Sequence, residues 1–179
     1  MHILVISLLS SFLSCMEEQD FDQFDTLRVT PTVTSGLLYF EVDEPSINTS
    51  GLPSGIPFYS KTTNFNPFDK DFVVDNLLEA VIVYEITNTT SKELGLTVEF
   101  LDGSGIPIYT ESFSMGPHPS GTLTREVAYG PGGLALNLLT NTSSLRFTAL
   151  HLGDATTVSP ANDPKFVLKS SGEFILQLL

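Results

Sequence analysis

Three aspartates stand close together in the sequence and could supply oxygen ligands to a metal ion. Asp69, Asp71 and Asp75 lie in the run FDKDFVVDN, and carboxylates are ligands that Ca²⁺ prefers. The spacing does not match an EF-hand loop, because Val73 occupies a ligand position and no distal glutamate follows. We therefore expect a solvated turn here, with a Ca²⁺ site as the alternative, and we predict no cofactor.

The histidines give little support to nucleophilic catalysis, which needs a nucleophile beside a base that a third group orients. His118 lies in the proline-flanked run MGPHPSG, which indicates a solvated loop residue. His151 falls in a strand-like segment, where it shares a face with Phe147 and Ala149, so we expect a structural histidine. The sequence predicts that the protein is not an enzyme.

Exposed aromatic side chains could form a flat face that binds sugars. The chain has no tryptophan, and its 13 phenylalanines outnumber 5 tyrosines, so most of its rings belong to the core rather than to a flat surface platform. Tyr59, Tyr109 and Tyr129 remain as surface contacts for a glycan.

The charge balance excludes one class of partner. The 21 acidic residues against 8 Lys and Arg give a formal net charge of −13, whereas a phosphate backbone needs a basic surface. The 41% apolar content is sufficient for a hydrophobic core in a chain of 179 residues. We predict a single domain that does not bind nucleic acid.

The amino-terminal segment has the pattern of an export signal. Residues 3–13 form an apolar run that has the length of a signal-peptide core and is shorter than the ~20 residues that a membrane-spanning helix needs. Phe12-Leu13-Ser14-Cys15 follows, and it holds the one cysteine of the chain, which excludes an intrachain disulfide.

These residues resemble the lipobox of a Bacteroidota-type cell-envelope lipoprotein. The resemblance implies a signal peptide at residues 1–14, cleavage before Cys15, and lipidation of Cys15 with chains such as palmitate. An acidic tether, residues 15–25, carries five acids and no base. It resembles the acidic tract that directs such lipoproteins to the cell surface, so the resemblance implies an outer-membrane location; an acidic tail with no role in sorting is the alternative.

Beyond the tether the apolar residues recur with a period of two, which is typical of β-strands. The predicted domain spans residues 26–179 as an all-β, single antiparallel β-sandwich, immunoglobulin-like, of about eight or nine strands. A short helix is expected near residues 134–140. The segment 84–105 resembles the strand-turn-strand units of bacterial immunoglobulin-like modules. The expected strands are 27–33, 37–42, 80–87, 94–100, 106–113, 122–129, 145–152, 165–168 and 174–178.

The connection at residues 44–68 is too long for a hairpin loop. It is either a functional surface loop or a segment that packs irregularly through Ile56, Phe58, Phe65 and Phe68, and we expect the irregular packing because exposed aromatic rings are costly.

The combined prediction is a lipid-anchored envelope or surface protein that acts as a non-catalytic binding or accessory subunit. Its partners would be the membrane, through the lipid on Cys15, and an envelope protein. One alternative is an exported hydrolase or Ca²⁺-dependent enzyme with an acidic loop site, and another is a glycan-binding module with coplanar exposed tyrosines.

Overall fold

The computed structural model describes residues 28–49, 51–65, 70–153 and 157–178, which form eight strands and three short helices. The strands are β1 (Thr32–Asp43), β2 (Pro57–Asn64), β3 (Leu77–Asn88), β4 (Leu94–Leu101), β5 (Pro107–Met115), β6 (Thr122–Tyr129), β7 (Ser144–His151) and β8 (Lys165–Leu176). The helices are α1 (Glu44–Thr49), α2 (Lys70–Asn76) and α3 (Asn137–Thr140).

The strands form two four-stranded sheets, so the predicted antiparallel β-sandwich is confirmed. Sheet 1 has the order β1-β8-β3-β6 and sheet 2 has the order β2-β7-β4-β5, with every neighbouring pair antiparallel. The predicted helix near residues 134–140 is also present, as α3. In the part of the chain that the structure describes, no helix is long and apolar enough to cross a membrane.

The strand order gives this sandwich the topology of a jelly roll. Eight strands in two sheets are connected as two Greek keys, with the first strand beside the last and the second beside the seventh. In an immunoglobulin sandwich the first and second strands are neighbours instead. The resemblance of the segment 84–105 to an immunoglobulin-like unit is therefore limited to local strand-turn-strand structure.

The core lies between the two sheets because alternate side chains of each strand point inward. Strand β3 buries Ile82, Tyr84 and Ile86, and strand β4 buries Val98 and Phe100. Each of these side chains is at most 1% exposed. A buried aliphatic or aromatic side chain contributes roughly 1.5–3 kcal/mol, so these two interior strands supply much of the stability.

Several predicted boundaries were wrong. In place of the two strands expected at 27–33 and 37–42, the structure has the single strand β1, which begins at Thr32 and has a register shift between Gly36 and Leu38. The two expected at 165–168 and 174–178 form the single strand β8. The connection expected to pack irregularly contains α1 and the edge strand β2. Phe58 and Phe65 pack against the core as expected, whereas Ile56 is exposed and Phe68 lies outside the described residues.

The antiparallel pairing places the connections at two ends of the sandwich. The loop end carries the connections 44–56, 89–93, 116–121 and 152–164. The opposite end, where β1 begins and β8 ends, carries the connections 65–76, 102–106 and 130–143. A segment that precedes β1 therefore joins the sandwich at the end opposite the loop end.

Candidate functional site

The aspartates singled out from the sequence do not form a carboxylate cluster within the described residues. Asp71 and Asp75 lie on α2, with both side chains exposed, and Asp69 lies outside the described residues. The expected solvated turn is thus a short helix from residue 70 onward. Across the described ranges, no group of three or more His, Cys, Asp or Glu side chains is arranged to hold a metal ion.

The two histidines within the described residues lie at the loop end but have different surroundings. His118 is exposed, and its backbone N–H donates to the carbonyl oxygen of Thr90 at 2.8 Å. His151 is buried, and its Nδ1 and Nε2 atoms lie 2.9 Å from the carbonyl oxygens of Gly153 and Leu52, respectively. Because both ring nitrogens face backbone carbonyls, His151 joins two connections of the loop end as a structural residue.

The three tyrosines considered for sugar binding do not form a common platform. Tyr129 is 2% exposed, and its hydroxyl group has no hydrogen-bond partner among the described residues. Tyr59 and Tyr109 are partly buried on β2 and β5, the opposite edges of sheet 2. The most exposed tyrosine is Tyr39 on β1, which is 67% exposed and which the sequence reasoning did not select.

A buried polar network begins at Asn88, the last residue of β3. The Asn88 Nδ2 atom donates to the carbonyl oxygens of Lys92 at 2.7 Å and of Gly116 at 2.8 Å. The Asn88 Oδ1 atom accepts from the backbone N–H of Thr90 at 3.0 Å and from its hydroxyl at 2.8 Å. Asn88 is 1% exposed, so these bonds fix the β3–β4 turn against the β5–β6 connection in a water-excluded setting.

Two buried charged residues extend this network. Glu44, 1% exposed at the start of α1, accepts from the Ser159 N–H at 3.1 Å and from the Ser91 hydroxyl. The Lys92 Nζ atom, also on a side chain that is 1% exposed, donates to the Thr157 carbonyl oxygen at 2.6 Å. These contacts hold the connection 157–164 against the β3–β4 turn, so both charges are used inside the fold.

A second buried polar group closes one side of the sandwich, between the edge strands β5 and β6. Glu111 on β5 is 2% exposed, and its carboxylate lies 2.9 Å from Arg125 Nη2 on β6. The Tyr109 hydroxyl donates to the other carboxylate oxygen at 2.5 Å. The Arg125 guanidinium also lies 5.5 Å from the centre of the Phe113 ring, a cation–π distance.

Burial and the Glu111 carboxylate raise the pKa of the tyrosines on this β5–β6 side. The pKa of Tyr109 is raised to about 12, first by burial and then by its hydrogen bond to Glu111. Burial also raises the pKa of Tyr84 and Tyr129, each with a further contribution from neighbouring acidic groups. All three phenols are therefore held in their neutral form.

The other side of the sandwich, between the edge strands β1 and β2, is open. A groove of about 120 Å³ lies there, lined by Leu37, Leu38, Tyr39, Phe40, Tyr59, Lys61, Thr63, Phe147 and Leu168. The rings of Phe40 and Tyr59 lie with centroids 4.4 Å apart, and those of Phe40 and Phe147 lie 4.8 Å apart. We refer to this feature as the β1–β2 groove.

Comparison with known proteins gives no family. No family model matches the chain, and no curated protein matches it. Among solved structures, the chain is 12% identical to the VP2 subviral particle protein of infectious bursal disease virus, with a TM-score of 0.36 over 86% of this chain and 33% of that chain. The chain thus spans about a third of that protein.

Two further structures differ in how much of their own length is covered. The nora virus structure is 10% identical, with a TM-score of 0.41 over 84% of this chain and 60% of that chain. The turnip yellow mosaic virus structure is 10% identical, with a TM-score of 0.36 over 86% of this chain and 96% of that chain. The strand order described above, rather than these similarities, identifies the fold.

Proposed function

We propose that this chain is a lipid-anchored protein of the bacterial outer membrane, held through Cys15, whose β-sandwich acts as a non-catalytic binding or accessory subunit of an envelope assembly. The observation that carries the proposal is that the buried ionisable side chains make contacts within the fold itself. His151, Glu44, Lys92 and Glu111 are buried, and each contacts backbone or side-chain partners rather than lining the β1–β2 groove.

The segment between Cys15 and the described residues is long enough to separate the sandwich from a membrane. Residues 16–27 separate Cys15 from the described residues, and twelve residues span at most ~43 Å when fully extended. This segment leads into the end of the sandwich where β1 begins.

Neither alternative function is favoured by a specific contact. An acidic enzyme site would need Asp71 and Asp75 to converge with other carboxylates, whereas both are exposed on α2. A glycan platform would need coplanar exposed rings, whereas Tyr129 is buried and Tyr59 and Tyr109 lie at opposite edges of sheet 2.

The anchor is tested by replacing Cys15 in the full chain expressed in a bacterium that processes lipoproteins. We expect the unaltered chain to incorporate radiolabelled palmitate and to fractionate with outer membranes, because several acyl chains together give stable anchoring. Cys15→Ala should abolish labelling and release the protein from the membrane fraction. The matched variant Ser11→Ala, outside the lipobox, should behave like the unaltered chain.

Unchanged labelling and fractionation of Cys15→Ala would rule out the anchor. The accessory role is tested separately, by native electrophoresis of the protein after mild detergent extraction. Migration in a complex larger than the single chain is expected, and migration of all of the protein as a monomer would contradict an accessory role.

A further inference from the structure

We propose that the β1–β2 groove receives an extended segment of a partner protein. The segment lies along the free edge of β1, places one large apolar side chain in the groove, and pairs an acidic side chain with Lys61. The inference rests on the proposed binding role and names the surface and the chemistry of the partner.

The free edge of β1 supplies the first part of the argument. Strand β1 is 12 residues long and pairs with β8 along one edge only. No strand of the described part of the chain pairs with its other edge. Such an edge presents a row of backbone N–H and C=O groups that can pair with an added strand.

The size of the groove supplies the second part. Its volume of about 120 Å³ is smaller than the pockets of ~300–1,000 Å³ that enclose whole small-molecule ligands. It is close to the ~150 Å³ cavity that holds a single benzene ring. Phe40, Phe147 and Leu168 are buried and line the groove, so it suits one apolar side chain that anchors a longer segment.

The charge beside the groove supplies the third part. In the register of β2 with β7, Lys61 lies opposite the buried Phe147 and lines the groove. Within the described residues, no carboxylate forms an ion pair with Lys61, although the chain carries 21 acidic residues. An unpaired cation at the rim of an apolar groove is complementary to an acidic side chain of the incoming segment.

The two sides of the sandwich differ in a way that favours addition of a strand at the β1–β2 side. On the β5–β6 side, Glu111 and Arg125 point inward from both edge strands and pair across the gap. Inward-pointing charges of this kind discourage strand addition. Among the described residues the β1–β2 side has no such pair: it carries the single charge of Lys61 beside the groove, without a carboxylate partner.

The experiment measures binding of dye-labelled blocked peptides to the detergent-solubilised full chain by fluorescence anisotropy. The probe peptide has a threonine host with Phe and Glu two positions apart, because residues at that spacing share one face of a strand. We expect saturable binding. Replacing the Phe of the peptide by Ala should weaken it about tenfold. Replacing the Glu by Gln should weaken it about threefold.

Variants of the protein locate the site. Lys61→Gln should remove the preference for the Glu peptide and keep the preference for Phe. Thr63→Phe, which fills the groove, should remove the preference for Phe. Lys169→Gln removes an exposed lysine of β8 that lies beside Glu85 of β3. This control variant should leave both preferences unchanged.

Absence of saturable binding by the probe peptide would overturn the proposal, as would equal binding of the Phe and Ala peptides or a Glu preference that persists in Lys61→Gln. Saturable binding of phenylacetate to the chain, together with no binding of the peptide, would also overturn it, in favour of a small-molecule site. These outcomes are independent of the Cys15 test, so failure of the groove and failure of the anchor are distinguishable.

Discussion

At the residue scale, the most informative side chains are two charges on otherwise apolar strand faces. Glu111 shares the inward face of β5 with Phe113 and Met115, and Arg125 shares the inward face of β6 with Val127 and Tyr129. Both positions were visible in the sequence as a charge within an alternating apolar pattern. The alternation predicts that each side chain points inward, but it does not show that the two strands lie next to each other across the sandwich.

The Glu111–Arg125 pair should contribute more to stability than an exposed pair of the same chemistry. Arg125→Met leaves the buried Glu111 carboxylate without its guanidinium partner, and removal of one partner from a buried pair is strongly destabilising. Arg125 itself is 47% exposed, and this exposure makes the effect smaller than for a fully buried pair. We therefore expect a loss of about 2 kcal/mol in the free energy of unfolding, measured by urea denaturation at neutral pH.

The matched control is Arg146→Met in the pair that Arg146 forms with Glu99 on the outer face of sheet 2. Both partners are partly exposed, so we expect a loss of less than about 1 kcal/mol. Equal losses for the two variants would contradict a special role for the inter-sheet pair.

At the element scale, the strands with regular alternation were predicted well from the sequence. The strand β6 was predicted with its observed bounds, and β3, β4, β5 and β7 were predicted to within three residues at each end. Apolar residues occupy most of the alternate, inward positions of each of these strands, so local pattern and burial agree. The same agreement allowed the sandwich to be predicted, but not the order of its strands, which depends on long-range pairing.

The strand β8 was predicted as two strands because Ser170, Ser171 and Gly172 interrupt its apolar pattern. The structure gives the reason for the small residue: a Cβ atom on Gly172 would lie 2.6 Å from the Phe174 ring. Space inside the sandwich therefore requires glycine here, while pairing with β1 and β3 keeps the strand continuous. Such packing requirements have no local signature in the sequence.

The strand β2 was missed for a different reason. Its sequence PFYSKTTN has no apolar alternation, because it is an edge strand and its inward position 61 carries a lysine at the open groove. The candidate site was therefore the least predictable part of the chain: Asp71 and Asp75, chosen from the sequence, are exposed on α2, and the groove forms only when β1 and β2 come together.

The turn after β6 should tolerate no side chain at its last glycine. A Cβ atom on Gly133 would lie 2.3 Å from the Ala128 carbonyl oxygen, which accepts the Leu134 N–H at 2.8 Å. Gly133→Ala must displace backbone and break this bond, so we expect a loss of about 2 kcal/mol or more in the free energy of unfolding, measured by urea denaturation.

Gly36→Ala provides the comparison, because a Cβ atom there meets nothing within 4 Å. We expect its stability to stay within about 0.5 kcal/mol of the unaltered protein. A Gly133→Ala variant as stable as Gly36→Ala would show that the turn relaxes without cost.

At the scale of the whole molecule, the tyrosines predict how stability changes at high pH. The folded pKa of Tyr109 is raised from 10.0 to about 12, and the pKa values of Tyr84 and Tyr129 are raised further by burial. Because the pKa of these tyrosines is higher in the folded than in the unfolded state, their contribution to the free energy of unfolding is complete below the unfolded pKa near 10. This contribution is lost as the pH rises through the folded pKa.

We therefore expect the urea concentration at the unfolding midpoint to fall steeply above about pH 10. The phenolate absorbance of these tyrosines should appear together with loss of the near-ultraviolet circular dichroism signal. Ionisation of all five tyrosines near pH 10 while the protein stays folded would contradict this assignment. Tyr109→Phe should reduce the steepness of the midpoint change between pH 10 and pH 12, since one raised phenol is removed.

The position of β8 has a consequence for the order of events during synthesis. This strand lies between β1 and β3 in sheet 1, yet it is made after all the other strands of the described chain. Until it emerges, β1 has no partner in its sheet and β3 pairs along one edge only. The sandwich therefore cannot close progressively from its amino terminus, and the chain stays open until nearly all of it has been made.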